Sequence, residues 1–167
     1  MVRADGEIRL SSVVYKTLWE PRHALTAGCR RRRRSFPRFW QRKESGHAAP
    51  EDACRCGIYG TTTPERALDF LDPRLGASAE DLLPWPIVGR ALGRVFLWGD
   101  VVEYDEGWRA AAAYPEHLLV AVAEPGRAEQ VRATMLVDRL RAYGVPVELL
   151  PWDGDLEAAL TLGSGLA

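Results

Sequence analysis

The stretch from Cys29 to Cys56 reads CRRRRRSFPRFWQRKESGHAAPEDACRC, and no other part of the chain departs as far from average composition. It contains all three cysteines of the protein, Cys29, Cys54 and Cys56, together with His47. Three thiolates and one imidazole form a recognised tetrahedral ligand set for structural Zn²⁺. We therefore predict a zinc site at these four residues. Because no coordination position is left open, we expect the metal to stabilise the fold and to take no part in catalysis.

The spacing of the four ligands leaves alternatives open. Steps of 18, 7 and 2 residues match no common zinc-finger pattern, although the alternate thiolates of an extended Cys54-x-Cys56 segment can reach one ion. An iron–sulfur cluster bound by three cysteines and one histidine is a second interpretation. Three unrelated buried thiols are a third. His23 could also replace His47 as the fourth ligand.

Residues 30–43, called the basic segment below, combine dense positive charge with aromatic side chains. They carry eight of the 22 basic residues and no acid, so 14 basic residues stand against 23 acidic ones elsewhere, a net charge of −9. Arginines neutralise phosphates, and aromatic rings stack on unpaired bases. We therefore predict that the segment binds nucleic acid, either RNA or DNA. The residues predicted to make this contact are Arg30, Arg31, Arg32, Arg33, Arg34, Phe36, Arg38, Phe39, Trp40, Arg42 and Lys43.

Two other interpretations account for the same charges. A non-enzymatic adaptor or regulator could bind an acidic protein partner through the basic segment. A run of arginines is also often no more than a solvated surface.

Length and composition indicate one domain spanning residues 1–167. Within it we expect a β unit plus the Cys/His loop over 1–60, an α+β core over 61–160 and a frayed tail over 161–167. No apolar run approaches the roughly 20 residues of a membrane span, and the N-terminus has no signal-peptide core. We therefore expect no membrane partner and a cytoplasmic location. Cytoplasmic thiols stay reduced, which favours a metal over a disulfide.

Hydrophobic patterning predicts a mostly β organisation up to residue 123. The strongest strand signal covers residues 92–104, with a bulge at Gly99. A three-residue hairpin connection follows at 105–107, and a return strand begins at Trp108. Further strands are predicted at 7–10, 18–19, 24–27 and 118–123, with a long loop over 30–53.

Two helices are predicted from capping and periodicity. Thr63 and Pro64 indicate a helix start, with the helix running to Leu71. The longest helix covers residues 127–143 and ends at Gly144; a strand at 145–150 then completes a β-α-β unit. Its predicted apolar stripe is Val131, Met135, Leu136, Leu140 and Tyr143. The fold class is therefore α+β, with a mostly antiparallel sheet, one long C-terminal helix and a zinc-stabilised N-terminal loop.

Four aromatic residues, Trp98, Tyr104, Trp108 and Tyr114, fall on the predicted hairpin. A core or cross-strand cluster is the default interpretation, and a platform that stacks bases or binds a small molecule is the alternative. No nucleophile, general base or metal site with an open position is recognisable. An enzymatic activity is therefore unsupported by the sequence.

Two motifs resemble a set of uncharacterised small bacterial proteins. The first is H-x6-C-R-C-G-I-Y at residues 47–59, and the second is G-x-V-x-L-W-G-x-V-V-E at 93–103, followed by Gly-Trp-Arg-Ala at 107–110. The resemblance covers about half of the chain. It implies only that the Cys/His stretch and the hairpin belong to one unit, and no function follows from it.

Overall fold

The computed structural model describes residues 2–4, 7–13, 17–29, 47–69, 86–122 and 126–151. The strands are β1 (Val2–Ala4), β2 (Ile8–Ser11), β3 (Leu18–Trp19), β4 (Leu25–Thr26), β5 (Ile58–Thr61), β6 (Ile87–Gly89), β7 (Ala91–Tyr104), β8 (Gly107–Val122) and β9 (Val147–Pro151). The helices are α1 (Pro64–Asp69) and α2 (Arg127–Leu140), and α2 continues into a single 3₁₀ turn at Arg141–Tyr143.

The strands form two sheets, and β8 is central to the larger one. β7 pairs antiparallel with nearly the whole of β8. Because a strand has only two hydrogen-bonding edges, the other edge of β8 is shared end to end by β5, β4 and β9. Only β9 runs parallel to β8. The smaller sheet has the antiparallel order β3-β2-β1-β6. The predicted α+β class with mostly antiparallel strands and one long helix is therefore confirmed.

The β7–β8 hairpin matches its prediction in outline and differs in two details. Pairing shifts between Trp98 and Val101, and Gly99 has a φ of +80°, which confirms the bulge. The connection is two residues long, because Gly107 already pairs with Tyr104. The separate strands predicted from residue 108 and at 118–123 are one strand, β8. Pro115 is tolerated within it because it lies at a second shift in the β7 pairing and between the stretches paired with β4 and β9.

Helix α2 packs on strands of both sheets through a face that includes three of the five predicted residues, Leu136, Leu140 and Tyr143. Its buried residues are Ala133, Leu136, Val137 and Leu140. Val131 and Met135 lie on the opposite side of the helix, 64% and 43% exposed. Gly144 ends the 3₁₀ turn in the left-handed conformation, as expected. The β-α-β unit formed by β8, α2 and β9 is also confirmed.

A single apolar cluster connects the two sheets through α2, and Tyr143 adds polar contacts to it. The cluster includes Val2 and Leu10 of the small sheet and Val120 of the large one. The Tyr143 hydroxyl accepts the backbone N–H of Leu10 at 3.0 Å and donates to the carbonyl of Trp19. Tyr143 thereby connects the end of the 3₁₀ turn to β2 and β3. The expected division into one domain with the stated parts stays a prediction.

We expect Tyr143→Phe to lower the free energy of unfolding by about 1–3 kcal/mol, because it leaves a buried amide and a buried carbonyl without a partner. The matched control is Tyr59→Phe. The Tyr59 hydroxyl donates to the exposed carbonyl of Arg55, where water can replace it. Urea denaturation measures both. Equal losses for the two variants would contradict the role assigned to Tyr143.

The same variant predicts a pH dependence. Burial raises the pKa of Tyr143 from 10 to about 12. The neutral hydroxyl is thus favoured in the folded state, and its contribution is fully present below pH 10 and is lost as the pH rises through 12. The difference in unfolding free energy between the wild type and Tyr143→Phe should be constant from pH 7 to 9 and shrink from 10 to 12.

Candidate metal centre

The two ends of the Cys/His stretch meet because both are hydrogen-bonded to one edge of β8. On the N-terminal side, β4 pairs with Ala112–Ala113, and the N–H of Ala27 donates to the carbonyl of Ala111 at 2.7 Å. On the C-terminal side, β5 begins at Ile58, which pairs with Ala110. Cys29 follows the first contact by two residues and Cys56 precedes the second by two. Neighbouring positions on β8 therefore bring together thiols that are 27 residues apart in the chain.

The structure places the four predicted ligand atoms in one group, called the Cys/His cluster. The Sγ atoms of Cys29 and Cys54 are 3.7 Å apart, and Nε2 of His47 lies 3.2 Å from Sγ of Cys56. All four ligand atoms lie within 4.8 Å of one another. Cys56 is buried and the other three are partly buried. These four side chains could hold a metal ion; that they do so stays a prediction, and the identity of the metal is open.

His23, the alternative fourth ligand, is not part of this group. Its side chain is exposed, and its Nδ1 lies 2.9 Å from the carbonyl oxygen of Pro21. The geometry therefore favours His47.

The two cysteines of the C-x-C segment have opposite pKa shifts. A hydrogen bond from the backbone of Cys56 lowers the pKa of the Cys54 thiol to about 7, against some desolvation. Burial raises the pKa of Cys56, and the nearby Cys54 raises it further. Metals bind the thiolate form. At neutral pH a substantial fraction of Cys54 is therefore already a thiolate. Cys56 is protonated in the absence of a metal, and binding of a metal would displace its proton.

Arg109 supports the cluster from β8, and sequence reasoning did not identify it. Its side chain is buried, with the residue 8% exposed. Its Nη1 donates to the carbonyls of Cys54, Cys56 and Glu51, at 3.1 Å for Cys56 and 3.4 Å for Glu51. One guanidinium therefore fixes the backbone on both sides of the C-x-C segment. The sequence does contain one signal for it: Arg109 directly precedes the alanine run of a central strand. A charged side chain buried there needs hydrogen-bond acceptors.

Gly57 allows the chain to pass closely over β8 after Cys56. Its φ of +123° lies in a region that L side chains rarely adopt. A Cβ at this position would lie 3.0 Å from the Cβ of Arg109 and 3.2 Å from the Cβ of Pro50. Glycine is therefore needed both for conformation and for space.

The other predicted sites have different outcomes. The whole basic segment lies outside the described residues, so the contacts proposed for Arg30 to Lys43 stay predictions. The four hairpin aromatics do not form one cluster. Trp98 and Tyr114 line one depression, whereas Tyr104 and Trp108 line a different cavity, because the bulge separates Trp98 from Tyr104. The four rings are thus divided between two pockets, and the alternative of a binding platform on the hairpin stays a prediction.

Comparisons with known proteins supply no assignment. No protein-family model matches the chain, and no curated protein or solved structure matches it either. Among the described residues, no helix is long and apolar enough to cross a membrane.

We expect Arg109→Met to lower the free energy of unfolding by about 3 kcal/mol, because it leaves buried carbonyls of the C-x-C segment without a donor. The affinity for Co²⁺, used as a metal probe and followed by its visible absorption, should fall by about 10- to 100-fold.

The matched control for this prediction is Arg66→Met, which removes a half-exposed guanidinium that pairs with Glu106 at the surface. Such a pair contributes about 1 kcal/mol or less. If both variants bind Co²⁺ as tightly as the wild type, Arg109 has no role in positioning the cluster.

Proposed function

We propose that the Cys/His cluster binds a structural zinc ion, and that this zinc fixes both ends of the basic segment, which binds nucleic acid. The observation that carries the proposal is the convergence of Cys29, His47, Cys54 and Cys56, since these ligands enclose residues 30–46. The protein acts as a binding protein in this proposal, and no catalytic step is assigned to it.

The spacing of the ligand atoms supports zinc. With zinc–sulfur bonds of about 2.3 Å and zinc–nitrogen bonds of about 2.0 Å, tetrahedral coordination places two sulfurs about 3.8 Å apart and a sulfur and a nitrogen about 3.5 Å apart. The observed Cys29–Cys54 separation is 3.7 Å and the observed His47–Cys56 separation is 3.2 Å. Small adjustments bring all four atoms to one ion.

The buried charge of Arg109 supports a metal complex of this composition. Arg109 is buried and forms no ion pair with a carboxylate among the described residues. An isolated buried cation is costly unless a negative charge lies nearby. Three thiolates and a neutral histidine around Zn²⁺ carry one net negative charge. The complex therefore supplies a counter-charge beside the carbonyls that Arg109 contacts.

Fixing the two ends of the basic segment explains how its charges could act together. A loop closed at both ends has fewer conformations, so less entropy is lost when it binds a partner. Eight positive charges without an acid then form one phosphate-binding surface. The aromatic residues Phe36, Phe39 and Trp40 add stacking contacts to unpaired bases.

Metal content tests the zinc part of the proposal. Freshly purified wild type should contain about one equivalent of zinc by elemental analysis. We expect Cys54→Ser and His47→Ala to lose it, because each removes a ligand, whereas the matched control His23→Ala should keep it. Iron in place of zinc would change the metal assignment, and a full equivalent of zinc in His47→Ala would remove His47 from the site.

Salt-dependent binding tests the nucleic-acid part. Fluorescence anisotropy with labelled RNA and DNA should show affinity that falls steeply as salt rises, because bound phosphates release counterions. Replacing the five arginines 30–34 with alanine should make the slope of log affinity against log salt shallower by about 3 to 4. A matched control removes five exposed arginines elsewhere: Arg66, Arg127, Arg132, Arg139 and Arg141.

Two outcomes would contradict the nucleic-acid assignment. One is the absence of salt-sensitive binding to any RNA or DNA by the zinc-loaded protein. The other is an equal loss of affinity in both five-arginine variants. Binding to an acidic protein without binding to nucleic acid would favour the adaptor function instead.

A further inference from the structure

An exposed aromatic surface lies on β7 of the hairpin. Phe96 is 57% exposed and Trp98 is 43% exposed, although their neighbours Val95 and Leu97 pack against the core. Residues two apart on a strand point to the same face and are separated by about 7 Å. Exposed aromatic rings that lie side by side can mark a binding site.

The two rings border a shallow depression of about 760 Å³, which we call the aromatic depression. The described residues that line it are Arg22, Ala24, Phe96, Trp98, Tyr114, Tyr143 and Gly144. None of these carries a negative charge. Its chemistry is therefore aromatic rings with one cation.

Arg22 is fixed at the border of the aromatic depression by its backbone and by its side chain. Its φ of +62° is uncommon for a residue with a side chain. Its N–H donates to the Tyr114 hydroxyl at 2.6 Å, and that hydroxyl donates to the carbonyl of Tyr143 at 2.7 Å. The Arg22 Nε donates to the carbonyl of Ala142 at 3.4 Å. No carboxylate among the described residues forms an ion pair with its guanidinium. Non-glycine residues held at positive φ cluster at functional sites.

We propose that the aromatic depression binds single-stranded nucleic acid, with unpaired bases stacked on Phe96 and Trp98 and a phosphate bound by Arg22. The nature of the partner rests on the proposed function, whereas the surface itself is separate from the basic segment. Stacking on exposed aromatics tolerates any base, because every base has a π-face. It also requires that the bases be unpaired, because the rings of a duplex are already stacked on one another.

Charge and shape favour this ligand over an apolar partner surface. A shallow aromatic surface accepts flat rings, and the exposed guanidinium of Arg22, which forms no ion pair among the described residues, can bind an anion. A nucleotide supplies both groups at one repeat of its chain. The absence of acidic side chains among the described lining residues means that a phosphate would meet no like charge in the depression.

The test measures the affinities of the zinc-loaded, full-length protein for labelled single-stranded dT20 and for a 20-base-pair DNA duplex. We expect Trp98→Ala to weaken binding of dT20 by about 5- to 150-fold, since one stacked base is lost, and to leave the duplex affinity unchanged. Trp98→Phe should retain most of the dT20 affinity. Arg22→Gln should make the salt slope for dT20 shallower by about 0.7, the value for one phosphate on a single strand.

The matched control is Val131→Ala, which truncates an exposed apolar side chain on α2, outside the depression. If Trp98→Ala lowers the melting temperature, Phe96→Ala provides the same comparison at the more exposed ring. Unchanged dT20 affinity in Trp98→Ala and Phe96→Ala, or an equal loss for dT20 and duplex, overturns the proposal.

The outcomes for the two proposals are distinguishable. If the arginine 30–34 variant loses affinity and the Trp98 and Phe96 variants do not, the basic segment binds alone and the aromatic depression does not bind. If only the Trp98 and Phe96 variants lose dT20 affinity, the depression binds and the role of the basic segment is wrong. If the wild type binds neither probe, both proposals fall. Dimerisation that Trp98→Ala abolishes, without a loss of dT20 affinity, would identify a second copy of the chain as the occupant.

Discussion

The position of the Cys/His cluster depends on how one edge of β8 is divided. β7 occupies the first edge of β8, so β5, β4 and β9 must share the second. β4 and β5 both run antiparallel to β8. The chain therefore leaves β8 after contacting Ala111 and returns to it at Ala110. A one-residue slip in either pairing would turn every side chain of that strand to the other face. The approach of Cys29 to Cys56 is therefore set by sheet register.

The sequence predicted the parts of this structure that depend on local chemistry. The bulge at Gly99, the αL residue at Gly144 and the grouping of Cys29, His47, Cys54 and Cys56 follow from residue type and spacing. The buried face of α2 was predicted only in part: Leu136 and Leu140 are buried as expected, but apolar residues occur on both sides of that helix. Ala133 and Val137 are buried in place of Val131 and Met135. Hydrophobicity alone cannot distinguish the two faces, since the choice depends on which side meets β8, β9 and β2.

Arg109 shows the same limit for the site. Arg109 can be buried because the carbonyls of Cys54 and Cys56 accept its hydrogen bonds. These acceptors are more than fifty residues away in the chain. Its place beside the alanine run of a central strand indicates a buried charge, but it does not indicate which carbonyls accept its hydrogen bonds. Burying its charge is costly, and three hydrogen bonds to neutral carbonyls offset that cost only in part. Arg109 therefore fixes the backbone that positions Cys54 and Cys56, and a metal complex of negative charge at the cluster would in turn stabilise its guanidinium.

The ordering of residues 47–57 around the cluster is largely independent of the apolar core that stabilises the two sheets. The main apolar core contains Leu25 and Ile58 at its border, but no described residue between them. Residues 47–57 bury only Ala49, Pro50, Cys56 and Gly57, too little apolar surface to order the segment alone. Loss of the metal would then release this region while the sheets stay folded, as a local unfolding event. In a small zinc finger the same loss unfolds the whole domain. The aromatic depression is separate from this region, because its described lining residues lie on β7, on β8, in the turn after α2 and in the segment before β4.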